Sequence, residues 1–136
     1  MAEEETRMEG KRIKILVVDN HNHIREAMSR LLNIQPDMQV VGEASNGKLA
    51  VDTFDRCAPD VTLMDLSMPV MNGIDAIKTI RKAHPDARVI ILSAYDFPED
   101  IQNSVQAGAA AYLLKDTTRD KLVRVIREVH QGHTFL

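Results

Sequence analysis

Tryptophan is absent from this 136-residue chain, tyrosine occurs twice, phenylalanine three times and cysteine once. So few aromatics leave no stacking platform for single-stranded nucleic acid. A lone Cys57 forbids an internal disulfide and suits a reducing compartment, with cytoplasm as the default location. No apolar run approaches the ~20 residues that a membrane-spanning helix needs. The opening MAEEETRMEG is charged where a signal peptide is apolar, so a soluble protein without a membrane partner is expected. Positive charge is also short. Seventeen Lys and Arg face 20 Asp and Glu, for a formal charge of −3, and such a surface binds a polyphosphate backbone poorly. The seven Met are scattered and suggest no cofactor.

What is present is a regular alternation. Residues 1–10 carry four Glu and no apolar period, and they read as a disordered acidic tail. From Lys11, five short β-branched runs are strand candidates: Ile13 to Val18, Gln39 to Ala44, Val61 to Met64, Val89 to Leu92 and Ala110 to Leu114. Between them the apolar spacing becomes helical, with Ile24, Ala27, Met28, Leu31 and Leu32 in the first helix. Ala50, Thr53, Phe54 and Cys57 mark the second, Ile74, Ile77 and Ile80 the third, Ile101 and Val105 the fourth, and Leu122, Val125, Ile126 and Val129 the fifth. Asn46-Gly47, Pro98 and Thr117-Thr118 signal helix starts; Pro36, Pro59 and Pro85 follow helix ends. The pattern is (βα)5 in one domain over 11–132, with 133–136 as the start of a linker. Strands one, three and four are apolar on both faces, which predicts a parallel sheet covered on each side and a doubly wound α/β fold.

In such sheets ligand chemistry gathers outside the carboxyl ends of the strands. Strand one ends in Asp19-Asn20, strand three in Asp65, strand four in Ser93 and strand five in Lys115. Taken singly, an Asp after a strand is commonly a turn former and a Lys is commonly solvated surface. Together on one rim, two acids or amides, a hydroxyl and an ammonium can surround a small anion together with a divalent cation.

These residues carry a resemblance. Ile15-Leu16-Val17-Val18-Asp19, Leu63-Met64-Asp65-Leu66-Ser67-Met68-Pro69-Val70-Met71-Asn72-Gly73, Leu92-Ser93-Ala94 and Gly108 through Asp116 resemble the receiver domains of two-component response regulators, over essentially 13 to 132. Val41 through Gly47 is similar to the NarL/FixJ-like subfamily, whose members normally carry a LuxR-type helix-turn-helix output domain. The chain stops at Leu136, soon after the fifth helix, so it is expected to be either an excised receiver or a single-domain one.

The resemblance implies a flavodoxin-like, five-stranded receiver fold of strand order 2-1-3-4-5. It implies no enzyme beyond self-catalysed phosphoryl transfer and slow autodephosphorylation. Asp65 would accept a phosphoryl group from a sensor histidine kinase with Mg2+. The metal would be held by Asp65, the backbone carbonyl of Ser67, the Asn20 position and, through water, Asp19. Lys115 and Ser93 would contact the phosphoryl group, and Tyr112 would follow Ser93 in a switch of the surface made by helix four, strand five and helix five. Ser67 and Tyr95 would tune dephosphorylation. DNA would be reached only through an output domain, with homodimerisation on phosphorylation as a further implied partner.

Asn20 departs from the pattern, since most receivers have two adjacent acids there. The missing charge would weaken the metal by about 1 to 3 kcal/mol, and a phosphorylation-independent pseudo-receiver is the alternative. Asp116 replaces the Pro of many receivers, so a trans bond before it is expected. Asp19, His21 and His23 could be transition-metal ligands, but they crowd into five residues with no second cluster, and the two His read as helix-start residues beside the pocket. Cys57 reads as packing on helix two. An FMN-binding flavodoxin-like protein is the rival of another class, although the acid at Asp19 would repel a cofactor phosphate.

Overall fold

The structure, a computed structural model, describes residues 11–135; the acidic tail read at 1–10 lies outside the described residues. The strands are β1 (Ile13–Val18), β2 (Met38–Ala44), β3 (Val61–Asp65), β4 (Val89–Ser93) and β5 (Ala111–Leu114). Five helices alternate with them: α1 (Asn22–Asn33), α2 (Gly47–Cys57), α3 (Gly73–Ala83), α4 (Pro98–Ala107) and α5 (Arg119–His130). Every strand pair is parallel, and the order is β2-β1-β3-β4-β5, as the resemblance implied. The order reverses at β1 and β3, which places a crevice between their carboxyl ends.

The two faces of the sheet divide the core by strand period. Ile15, Val17, Leu63 and Ile90 meet Leu32 of α1 and Leu122, Val125, Ile126 and Val129 of α5 on one side. Leu16, Val18, Met64 and Ile91 meet Ala50 and Phe54 of α2, Ile77 and Ile80 of α3 and Ala107 of α4 on the other. Burying one such aliphatic side chain contributes about 1.5–3 kcal/mol, so the three central strands are the strongest part of the frame and hold its rim rigidly.

Local signals fix the helix starts. Asn46 and Asn72 accept from the Leu49 and Asp75 amides, and Thr118 accepts from the Lys121 amide. Pro98 opens α4, where its missing N–H is harmless.

Two expected faces differ. In α1, Ile24 is 38% exposed and Ala27 is exposed, while Ser29 and Leu32 are buried. In α4, Val105 is 47% exposed and the buried residues are Ser104 and Ala107. The Ser104 hydroxyl is satisfied within the helix by donating to the Asp100 carbonyl at 2.7 Å. After α5, Gly132, at φ 100, turns the chain, and the Phe135 amide donates to the Ala110 carbonyl at 2.7 Å. Among the described residues there is no cis peptide, in keeping with the expectation for Asp116, and no helix is long and apolar enough to cross a membrane.

Candidate functional site

Asp65 is the last residue of β3 and Ser93 the last of β4, both 4% exposed, and Asp19 follows β1 at 5%. Lys115 follows β5, where its amide donates to the Ser93 carbonyl at 2.8 Å. The four residues expected on one rim therefore meet. The Lys115 ammonium lies 2.9 Å from Asp19 Oδ2 and 3.2 Å from Asp65 Oδ1. Each carboxylate gives one oxygen to the lysine and keeps the other.

Those remaining oxygens differ in what they find. Asp19 Oδ1 accepts from the His21 amide at 2.8 Å and lies 3.1 Å from His21 Nδ1. Asp65 Oδ2 is buried without a partner, and so is Asn20 Oδ1. Two buried acceptor oxygens without a protein partner, one of them on a carboxylate, are costly, and a hard cation satisfies both at once. The donor set thus fits a divalent metal. Asp19, His21 and Asp65 each place one ligand atom within 4.8 Å of the others, and His23 is not among them.

Burial raises the Asp65 pKa above the ordinary carboxylate value, and the Asp19 charge raises it further. Lys115 and the Ser67 amide pull the other way without cancelling the shift.

The loop after Asp65 is held by backbone contacts that only glycine permits. An added Cβ at Gly73 would collide with the Asp65 carbonyl oxygen, and one at Gly47 would collide with the Met71 carbonyl oxygen, which the Gly47 amide itself approaches at 3.0 Å. Between them Val70 sits at φ 68, a conformation that a β-branched residue adopts only under constraint.

The switch candidates lie on β4, β5 and the loop after β4. Ser93 Oγ accepts from the Tyr95 amide at 3.2 Å. The Tyr112 hydroxyl donates to the Tyr95 carbonyl at 2.6 Å, and Tyr95 stacks on Phe97 with ring centroids 5.2 Å apart. Burial raises the Tyr112 pKa. Ser67 is exposed and next to the pocket mouth, whereas Tyr95 turns outward at 62% exposed.

His21, expected beside the pocket, stands there with its ring against Asp19 Oδ1, the oxygen that its own amide binds. One contributor escaped the sequence reading. Arg25 reaches back from α1 to donate to the Asp19 carbonyl at 2.8 Å and pairs with Glu43 at 3.3 Å, fixing the β1 terminus. An arginine six residues beyond the acid, on the inward side of a helix, was the available signal.

The response regulator receiver domain family matches residues 15–127. The transcriptional regulatory protein DegU of Brevibacillus brevis is 34% identical over 125 residues, covering 92% of this chain and 53% of the relative. The nitrate/nitrite response regulator NarL of Escherichia coli is 34% identical over 122 residues, covering 90% and 56%. A solved LuxR-family two-component response regulator from Aurantimonas superposes with a TM-score of 0.87 at 30% identity, over 92% of this chain and 89% of that one. The chain spans a little over half the length of the curated relatives it matches.

Proposed function

This chain belongs to the response regulator receiver family, and we propose that within it Asp65 is the phosphoacceptor for a sensor histidine kinase. The observation that carries the reading is Asp65 Oδ2, a buried carboxylate oxygen without a partner, in a pocket whose ammonium already neutralises its twin. The Asp65 carboxylate attacks the phosphorus of a phosphohistidine. A P–O bond forms, the P–N bond breaks, and the electron pair returns to the imidazole nitrogen, leaving an acyl phosphate on Asp65. Bound Mg2+ supplies charge neutralisation for the transferring group, with Asp65, the Asn20 carboxamide and the Ser67 carbonyl as its proposed ligands and Asp19 acting through water. Lys115 gives up its contact with Asp65 Oδ1 to pair with a phosphoryl oxygen.

The switch uses the same groups. Ser93 Oγ accepts from the Tyr95 amide in this structure and turns to donate to the phosphoryl group. That releases the 94–97 loop. Tyr112 loses its tie to the Tyr95 carbonyl and moves inward, and the surface of α4, β5 and α5 is remodelled. Ser67 and Tyr95, two residues beyond Asp65 and Ser93, set how readily water reaches the acyl phosphate. By likeness to DegU and NarL, the output controlled is transcription, through a DNA-binding domain. Asn20 favours one second reading, a module that works unphosphorylated, because its carboxamide brings no charge to the metal.

Incubation with a small phosphodonor and Mg2+, followed by intact mass measurement, separates the two. A phosphoryl-mass gain in the native chain that disappears in Asp65→Asn supports the proposal. No gain at any Mg2+ concentration leaves the unphosphorylated module.

A further inference from the structure

A cation at this pocket meets a nitrogen as well as oxygens. Within the sequence, Asp19, His21 and His23 lacked a ligand from elsewhere in the chain; the fold brings Asp65 from β3 into the group and leaves His23 out. Asp65 is 4% exposed and retains an unpartnered oxygen, so a buried polar group calls for a ligand there independently of the number of acids.

We propose that His21 Nδ1 is a direct metal ligand and that the pocket selects first-row transition cations such as Co2+ and Mn2+ over Mg2+. This rests on the metal pocket of the phosphoacceptor reading and specifies which cation it holds best.

The separations suit the role. His21 Nδ1 and Asp19 Oδ1 are 3.1 Å apart, and two lone-pair donors at that distance repel unless a proton or a cation lies between them. His21 Nδ1 and a carboxylate oxygen of Asp65 lie within 4.8 Å of one another, near enough for one cation to be held by both. The His21 amide fixes Asp19 Oδ1 at 2.8 Å, holding ring and acid in register. Lys115 occupies Asp19 Oδ2 and Asp65 Oδ1, which leaves Asp65 Oδ2 for the ion. Two features of the pocket act in one direction. Asn20 removes a charge on which a hard, oxygen-seeking ion depends, and His21 adds an imidazole, which favours Co2+ strongly and Mn2+ modestly.

The test titrates the metal-stripped 136-residue chain with Co2+ and with Mg2+, following heat of binding and, for Co2+, its visible absorption. Co2+ is expected to bind at least tenfold more tightly than Mg2+. His21→Ala, at an exposed side chain, should weaken Co2+ about tenfold more than it weakens Mg2+. Asp65→Asn should weaken both, and His23→Ala neither. Equal losses for both ions in His21→Ala overturn the proposal, as does Co2+ binding that survives Asp65→Asn, since the ion then sits on a histidine elsewhere. Phosphodonor labelling with Mg2+ is read separately: labelling with no His21 effect sinks only the selectivity, whereas His21-dependent Co2+ binding without labelling sinks only the phosphoacceptor reading.

Discussion

At the carboxyl end of the sheet two carboxylates, Asp19 and Asp65, share one ammonium. Near its amino end a single carboxylate, Asp37, is gripped by the whole fork of one guanidinium. Arg127 of α5 donates to both Asp37 oxygens at 2.8 and 3.0 Å, ahead of β2. The groups are of the same chemical types, yet the shifts run in opposite directions. Hydrogen bonds from Arg127 hold the Asp37 pKa below its ordinary value, whereas burial beside Asp19 holds Asp65 above it. The difference lies in compensation. The outer pair is half-exposed, one acid to one base, and its geometry is bidentate. The inner cluster is buried, has an acid too many and keeps an oxygen unpaired. The first is arranged for holding helix to sheet, the second for receiving a charged ligand.

The largest expected effect comes from removing the shared ammonium. Lys115→Ala strands two buried carboxylates and should cost on the order of 3 kcal/mol at neutral pH, as measured by denaturant unfolding. A cost below that of breaking the outer pair would break the comparison.

Next is a change of opposite sign. With its folded pKa raised, Asp65 binds its proton more tightly folded than unfolded, so its ionisation lowers stability as pH rises from the ordinary carboxylate value, about 4, through the folded value. Asp65→Asn should therefore stabilise the metal-free chain at pH 7 by about 1 kcal/mol, and the gain should vanish as pH falls below about 4. A destabilised Asp65→Asn at pH 7 would show the acid to be well compensated after all.

Arg127→Ala should have the smallest effect, about 0.5–1 kcal/mol, because solvent screens a pair this exposed. Asp37 is lowered, so its contribution is present above the unfolded pKa and lost as pH falls through the folded one. The variant and the native chain should converge in acid, and 1 M salt should erode their difference more than it alters the Lys115 effect.

Much of this was legible in the chain itself. Short β-branched runs separated by stretches of period 3.6 fix five strands and five helices, and Asn46 and Thr118 stand where their caps are found. Because strand ends are local features, Asp19, Asp65, Ser93 and Lys115 could be placed on one rim before any coordinates. The faces of α1 and α4 were less legible. Ile24 and Val105 satisfy the helical spacing and still face water, since a sparse apolar stripe leaves the helix free to rotate until small residues such as Ser29, Ser104 and Ala107 pack.

The residues alone therefore determined the element order, the sheet and the rim on which chemistry gathers, because periodicity and strand termini are set by near neighbours in sequence. Only the tertiary structure decided how charge is shared there. Which carboxylate oxygens Lys115 takes, which one Asp65 keeps unpaired and whether His21 turns toward Asp19 depend on distances of about 3 Å between side chains from β1, β3 and β5. Electrostatic balance in a buried pocket changes over tenths of an ångström, and no spacing along the chain encodes that.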